Sequence, residues 1–149
     1  MRAIVLCAGY GTRLGVLTKD RPKPMIEVGG KPVIEHILTR LSLHGIRDVI
    51  VNLHYLPGVI TEYLGSRVLY YYEPRLLGHQ GTIMALRNWI DGNNFLVING
   101  DTINDVDYTS LIQFHKENTI TAYMDEWRSA GTWVYSPSYF DNHDLMVRP

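Results

Sequence analysis

Short apolar runs, each closed by glycine, proline or a polar cluster, alternate along this chain with segments whose apolar residues recur at helical spacing. The stretch from Arg2 to Cys7 is one such run and ends in glycines, which reads as a buried strand of the parallel type. Pro32 can open a helix whose positions Val33, Ile34, Ile37, Leu38 and Leu41 share one face, with Gly45 as its stop. The period then switches. "RDVIVNL" (47–53) reads as a strand, "PGVITEYLG" (57–65) as a helix opened by Pro57, and "RVLYYYE" (67–73) as a strand rich in β-formers. "GTIMALRNWI" (81–90) has helical spacing, and "NFLVING" (94–100) is a further apolar strand. Beyond Asp101, "YTSLIQFHKEN" (108–118) looks helical, while "TITAYMD" (119–125) and "GTWVYS" (131–136) look like strands on the far side of the sheet. This alternation predicts an α/β fold, a mostly parallel sheet with helices on both faces.

The only irregular stretch longer than a tight turn is 8–31, and long loops in compact domains tend to carry function. It begins "LCAGYGTRLG" (6–15), with Gly9, Gly11 and Gly15. The dinucleotide fingerprint G-x-G-x-x-G needs a glycine where this chain has Leu14, and Pro22 and Pro24 argue for an extended polar loop rather than an immediate helix. "VGGKPV" likewise fails as a phosphate loop, because Met25 and Pro32 replace the first glycine and the final hydroxyl residue. What remains is a glycine-rich loop carrying Arg13, with Lys23 clamped between two prolines. Glycines let a backbone approach a ligand and donate N–H groups, and two fixed cations suit a polyphosphate. Asp101 ends a strand in "NFLVINGDT", which puts a carboxylate at the sheet edge where open α/β sheets bind ligands. One such carboxylate, with ligand phosphates and waters, is how Mg²⁺ is commonly held. An ordinary turn and a solvated Asx residue are the competing readings.

Composition narrows the partners. The 149 residues, 46% of them hydrophobic, suffice for a single domain, and 14 Lys+Arg against 15 Asp+Glu imply no general attraction to nucleic acid or an anionic membrane. Cys7 is alone in an apolar run, which fits a reducing compartment, and the N-terminus resembles neither a signal peptide nor a spanning helix; a cytoplasmic protein is expected.

"LCAGYGTRL", "DRPKPMIEVGGKP", "LGHQGT" and "LVINGDT", in this order and spacing, resemble the sugar-1-phosphate nucleotidyltransferases, close to their mannose- or heptose-1-phosphate guanylyltransferase branch. The resemblance covers residues 1 to about 115 and implies a three-layer Rossmann-like sandwich of the nucleotide-diphospho-sugar transferase type. It implies that Gly9, Gly11 and Thr12 wrap the nucleotide, that Arg13 binds the triphosphate and that Lys23 binds phosphate at the reacting centre. Asp101 would be a Mg²⁺ ligand, and Ala8, Gly78, Gln80 and Gly81 would face the nucleotide base. The substrates implied are a nucleoside triphosphate, GTP being favoured by the branch, and a sugar 1-phosphate.

The chain departs from the pattern after residue 115. No "EKP" segment occurs, Ser129 stands where asparagine is usual, and a late metal-binding aspartate is missing, with Asp125, Asp141 and Asp144 as candidate substitutes. The expectation is therefore a shortened form, 1–115 a nucleotide-binding core and 116–149 an abbreviated sugar-binding part. An open sugar pocket predicts weak sugar selectivity or a homo-oligomer in which a second copy covers it. The alternative is a nucleotide-binding module that kept the triphosphate half without turnover. His79 and Gln80 either read a base edge or fill a loop, and the remaining histidines lack metal-ligand spacing.

Overall fold

The computed structural model describes residues 1–116, 120–125 and 128–143. In chain order the strands and α-helices are β1 (Arg2–Leu6), β2 (Glu27–Val28), β3 (Lys31–Pro32), α1 (Val33–Leu43), β4 (Asp48–Leu53), α2 (Pro57–Leu64) and β5 (Leu69–Tyr72), followed by α3 (Gly78–Ala85), α4 (Arg87–Ile90), β6 (Phe95–Asn99), α5 (Tyr108–His115), β7 (Ile120–Asp125), β8 (Arg128–Tyr135) and α6 (Ser138–His143). Six strands form one sheet in the order β5-β4-β1-β6-β8-β7. β1 pairs in parallel with β4 and β6, and β4 with β5, whereas β8 runs antiparallel to both β6 and β7. The α/β class and mostly parallel sheet are as the pattern predicts. β8 and β7, joined by antiparallel pairing, lie beyond β6, on the side expected from the loosening of the pattern after Asp101.

Both faces of the sheet are covered because its strands alternate apolar side chains across them. Ala3 and Val5 of β1 meet Ile34, Ile37 and Leu41 of α1 and Ile60 of α2 on one face. On the other, Ile4, Phe95 and Val97 pack with Ile83, Ile90 and Phe140. α1 stops where expected, with Gly45 at φ 72 just past its His44 cap.

Two segments differ from the sequence expectation. The helix expected over 81–90 starts at Gly78, whose φ of 70 lets the chain turn in, and breaks at Leu86. There the Leu86 N–H is shared between the Thr82 and Ile83 carbonyls, a tightening that divides α3 from α4. The stretch 8–31 is also more ordered than an extended loop. It holds two 3₁₀ segments, Thr12–Thr18 and Lys23–Met25, before the two-residue pairing of β2 with β3. In the second segment Pro22, Pro24 and Met25 are buried, so Lys23 projects from a fixed turn.

The chain leaves β1 for β4 and β5 on one side and returns to β6 on the other. The order therefore reverses between β1 and β6, whose Leu6 and Asn99 are register partners at the C-terminal ends. This switch point is where an open α/β sheet leaves a crevice.

Candidate active site

A cavity of about 310 Å³ opens at that crevice, and Ala8, Gly9, Lys23, Asn99 and Asp101 are part of its lining. The floor depends on close approach of two backbones: Gly100 N–H donates to the Leu6 carbonyl at 2.9 Å. A Cβ at Gly100 would sit 2.4 Å from Cys7 Sγ and 2.7 Å from Leu6 O, so only glycine fits. Asp101 follows directly and emerges at the rim.

Lys23 Nζ lies 3.2 Å from Asp101 Oδ2, two charges delivered to one point from 78 residues apart in the chain. Lys23 is steered there by its neighbours. Gly11, at φ 70, lies against the lysine stem so closely that a Cβ would come within 2.8 Å of Lys23 Cγ and 2.9 Å of Thr18 Cγ2. Thr18 in turn donates its hydroxyl to the Gly11 carbonyl at 3.1 Å, and Tyr55 donates to the Thr18 carbonyl at 2.8 Å. Gly11 thus acts on the lysine rather than lining the cavity.

On the opposite wall stands a buried polar network. Asn52 Oδ1 accepts from the Cys7 N–H at 2.6 Å, and its amide donates to Glu73 Oε1 at 2.9 Å and to the Thr82 hydroxyl at 3.2 Å. Thr82 hydrogen-bonds Glu73 as well, and Glu73 Oε2 accepts from Leu77 N–H at 3.0 Å. Glu73 is 4% exposed, and among the described residues no cation pairs with it. Cys7 lines the cavity too, but burial first and the Asp101 charge second push its thiol well above the ordinary range. A thiol held protonated is a poor nucleophile, which argues against covalent chemistry at Cys7.

A second cleft, about 530 Å³, adjoins the first through Gly78 and His79, which line both. Its other walls are Leu77, Gln80, Trp133, Tyr135 and Tyr139. His79 meets the Trp133 ring edge-on at a centroid separation of 4.6 Å, and its Nε2 lies 3.2 Å from the Tyr135 hydroxyl. Burial holds the imidazole below its ordinary value. The Tyr135 phenol is pushed up to about 12 by burial and then by Tyr139, so its hydroxyl keeps the proton and shares a hydrogen bond with the ring.

The expected site residues are thus only partly gathered. Ala8, Gly9, Lys23, Gly78 and Asp101 share the first cavity. Gln80 lines the second, and Gly81 packs on Leu77, where a Cβ would stand 2.9 Å from Leu77 Cβ. Thr12 and Arg13 are exposed on the first 3₁₀ segment, between Gly11 and Gly15, and do not line the cavity. The side chains of Asp125, Asp141 and Asp144 lie outside the described residues. Asn52, Glu73 and Thr82 were not among the expected residues; an asparagine inside the apolar run 47–53 is the one sequence signal that marks them.

Residues 2–143 match the family model described as nucleotidyl transferase. The chain belongs to that family. The chain is 40% identical over 116 residues to a D-glycero-alpha-D-manno-heptose 1-phosphate guanylyltransferase of Campylobacter jejuni, covering 74% of this chain and 52% of that protein. It is 34% identical over 131 residues to a mannose-1-phosphate guanyltransferase of Yarrowia lipolytica, covering 82% of this chain and 36% of the relative. The chain therefore spans about half or less of the length of these relatives. Among solved structures it is similar to HddC from Yersinia pseudotuberculosis complexed with GMP-PN, at a TM-score of 0.75 and 25% identity, over 92% of this chain and 77% of that one. The fold expected from the motifs, the nucleotide-diphospho-sugar transferase sandwich, is the fold found. No helix of the described residues is long and apolar enough to cross a membrane.

Proposed function

We propose that this nucleotidyl transferase moves a nucleotidyl group, guanylyl by preference, from a nucleoside triphosphate to a sugar 1-phosphate and releases pyrophosphate. The observation that carries the reading is the Lys23–Asp101 pair, held at 3.2 Å over the switch-point cavity. In the reaction an oxygen of the sugar phosphate attacks the α-phosphorus, a new P–O bond forms, and the bond to the β-phosphate bridging oxygen breaks. The attacking group needs no enzymatic base, since the second pKa of a phosphate monoester is about 6. The protein's work is alignment and charge neutralisation. Lys23 supplies a fixed cation for phosphate oxygens. Thr12 and Arg13 lie between the positive-φ Gly11 and Gly15, and in this reading they contact the triphosphate.

Asp101 is the residue that would hold Mg²⁺. The donor set fits an ion brought largely by the substrate: its carboxylate is partly exposed at the cavity rim, and among the described residues no three metal-ligating side chains cluster. A bound Mg²⁺ supplies charge neutralisation on the departing pyrophosphate.

The nucleoside occupies the side of the cavity bounded by Ala8, Gly9 and Gly78. The sugar occupies the adjoining cleft, whose aromatic walls suit the apolar face of a pyranose and whose Gln80 amide suits its hydroxyls. The preference for guanine draws on the names of the relatives, both guanylyl transferases. The test is pyrophosphate release from GTP, UTP, dTTP, CTP and ATP with Mg²⁺ and mannose 1-phosphate or a heptose 1-phosphate, beside Lys23→Ala and Asp101→Ala. Release that is fastest with GTP and lost in both variants is expected. Silence from every pair sinks the enzyme reading, and triphosphate binding without turnover would leave a nucleotide-binding module.

A further inference from the structure

The buried network in the cavity wall does something an apolar wall cannot. A carboxylate buried without a cation is costly, and a hydrophobic side chain of similar volume would occupy the same space at lower cost. Glu73 nevertheless stands there at 4% exposure. Its oxygens take Asn52 Nδ2 and Thr82 on one side and the Leu77 N–H on the other. Asn52 carries the chain onward to the Cys7 N–H at 2.6 Å. The backbone is pinned as well: Glu73 N–H donates to Leu53 O at 2.8 Å, and its carbonyl lies 2.8 Å from His54 Nδ1. One side chain therefore ties the end of β1, which leads into Ala8 and Gly9, to the turn that leads into Gly78.

From this we infer that Glu73 is a positioning residue: through Asn52 it sets the spacing between the Ala8–Gly9 backbone and the Gly78 backbone, and so fixes the nucleoside side of the cavity. This rests on the proposed function for its consequence, though not for its geometry. Asn52, Glu73 and Thr82 are part of the cavity lining, but their polar groups are turned largely on one another. Both amide protons of Asn52 and its oxygen are used, and the Thr82 hydroxyl accepts from Asn52 while facing Glu73 and the Gly78 carbonyl, 2.9 Å away. What it offers a ligand is the position of two backbones. The phosphate side is held separately, by Gly11 against the Lys23 stem.

Glu73→Gln is the discriminating change, because its amide must point a donor either at the Leu77 N–H or at Asn52 and Thr82. Thr82→Ser keeps the hydroxyl and serves as the conservative variant. Hydrogen exchange on the ligand-free protein reads the clamp directly: Glu73→Gln accelerates exchange in both 7–11 and 76–79 while β1, β4 and β6 stay protected, and Thr82→Ser does not. Binding reads the consequence, with Mg²⁺–GTP weakened about tenfold and Mg²⁺–pyrophosphate unchanged within twofold. Acceleration in only one of the two segments, or across the whole sheet, overturns the clamp, as does an equal loss for GTP and pyrophosphate. If the unaltered protein binds no triphosphate, the proposed function fails while the exchange result still decides the clamp. Should Glu73→Gln fail to fold, Thr82→Val removes one strut and is judged by the same two readouts.

Discussion

Gly100→Ala tests whether the switch point is built on backbone contact. The added methyl would stand 2.4 Å from Cys7 Sγ, 2.7 Å from Leu6 O and 3.3 Å from Leu6 C. Ordinary contacts of this kind lie near 3.5 Å or more, so β1 and the chain after β6 must part by about 1 Å, against the Gly100 N–H bond to Leu6 O. The sulfur could be relieved by a rotamer change, but the carbonyl is fixed by β1 pairing with both neighbours. Overpacking of this kind costs about 3 kcal/mol, the upper part of the usual range. Urea unfolding would show it as a lower midpoint at unchanged slope, with a fall in Tm of roughly 6–12 °C. The cycle with Cys7→Ala apportions the cost. Removing Sγ relieves one contact and leaves the carbonyl, so the double variant recovers about 1 kcal/mol and no more. Gly100→Ala unfolding at the wild-type midpoint, or full recovery by Cys7→Ala, would refute the reasoning.

Lys23→Ala and Asp101→Ala should each lower kcat/KM on the order of a hundredfold, about 3 kcal/mol of transition-state stabilisation, in a pyrophosphate-release assay. Their urea midpoints should barely move, because the Lys23–Asp101 pair is partly exposed, at 26% and 38%, and such pairs contribute less than about 1 kcal/mol. Gly11→Ala must hold a residue with a Cβ at φ 70 and displace Lys23 Cγ, so Mg²⁺–pyrophosphate binding should weaken between roughly ten- and a hundredfold. Gly58→Ala, on α2 and with nothing within 4 Å of the added atom, is its control. Burial lowers the pKa of His79, so the unfolded chain takes the proton first on acidification. The stabilisation is therefore present above about pH 6.5 and is lost as pH falls through the folded value, a slope that His79→Phe reduces in urea midpoints measured from about pH 8 to about pH 5, His115, also lowered by burial, keeping its own share. Trp133→Ala removes a wall that only the second cleft has, so it should raise KM for the sugar phosphate more than it weakens triphosphate binding, the smaller effect passing through His79.

The sheet was legible because each of its parallel strands is a short apolar run, and the switch point because the runs at 2–7 and 94–100 each end in a glycine-containing turn. Lys23 and Asp101 were legible for related reasons: prolines on both sides fix a side chain, and an aspartate after a buried strand has one place to go. The network of Asn52, Glu73 and Thr82 was not. Glu73 and Thr82 are 21 and 30 residues from Asn52, the three lying on β4, in the loop after β5 and on α3, and no periodicity relates them. The second cleft escaped for a different reason. It exists because β8 returns antiparallel along β6 and puts Trp133 opposite Val97, beside the start of α3, and a local pattern does not report which strand pairs with which. The ordered 3₁₀ segment was hidden because its glycines and the prolines at 22 and 24 read as an extended polar loop, and Val16 and Leu17, 86% and 61% exposed, give it no buried face for a pattern to report.

These differences change what the residues after 115 mean for the site. The residues that hold charge come from the β1 loop, the proline-bounded turn and the end of β6, all within the first 101 residues. The aromatic cleft takes three of its walls, Trp133, Tyr135 and Tyr139, from beyond residue 130, so that part still furnishes a surface beside His79. The two cavities meet only at Gly78 and His79. Gly78 is tied back through Thr82 and Glu73 to Asn52 and the start of the glycine loop, whereas His79 is tied forward to Trp133 and Tyr135. A shift of the 77–79 turn therefore has to move both cavities at once. That gives a nucleotide seated against Gly78 a physical route to the shape of the neighbouring cleft, because adjacent residues in one turn cannot be displaced independently.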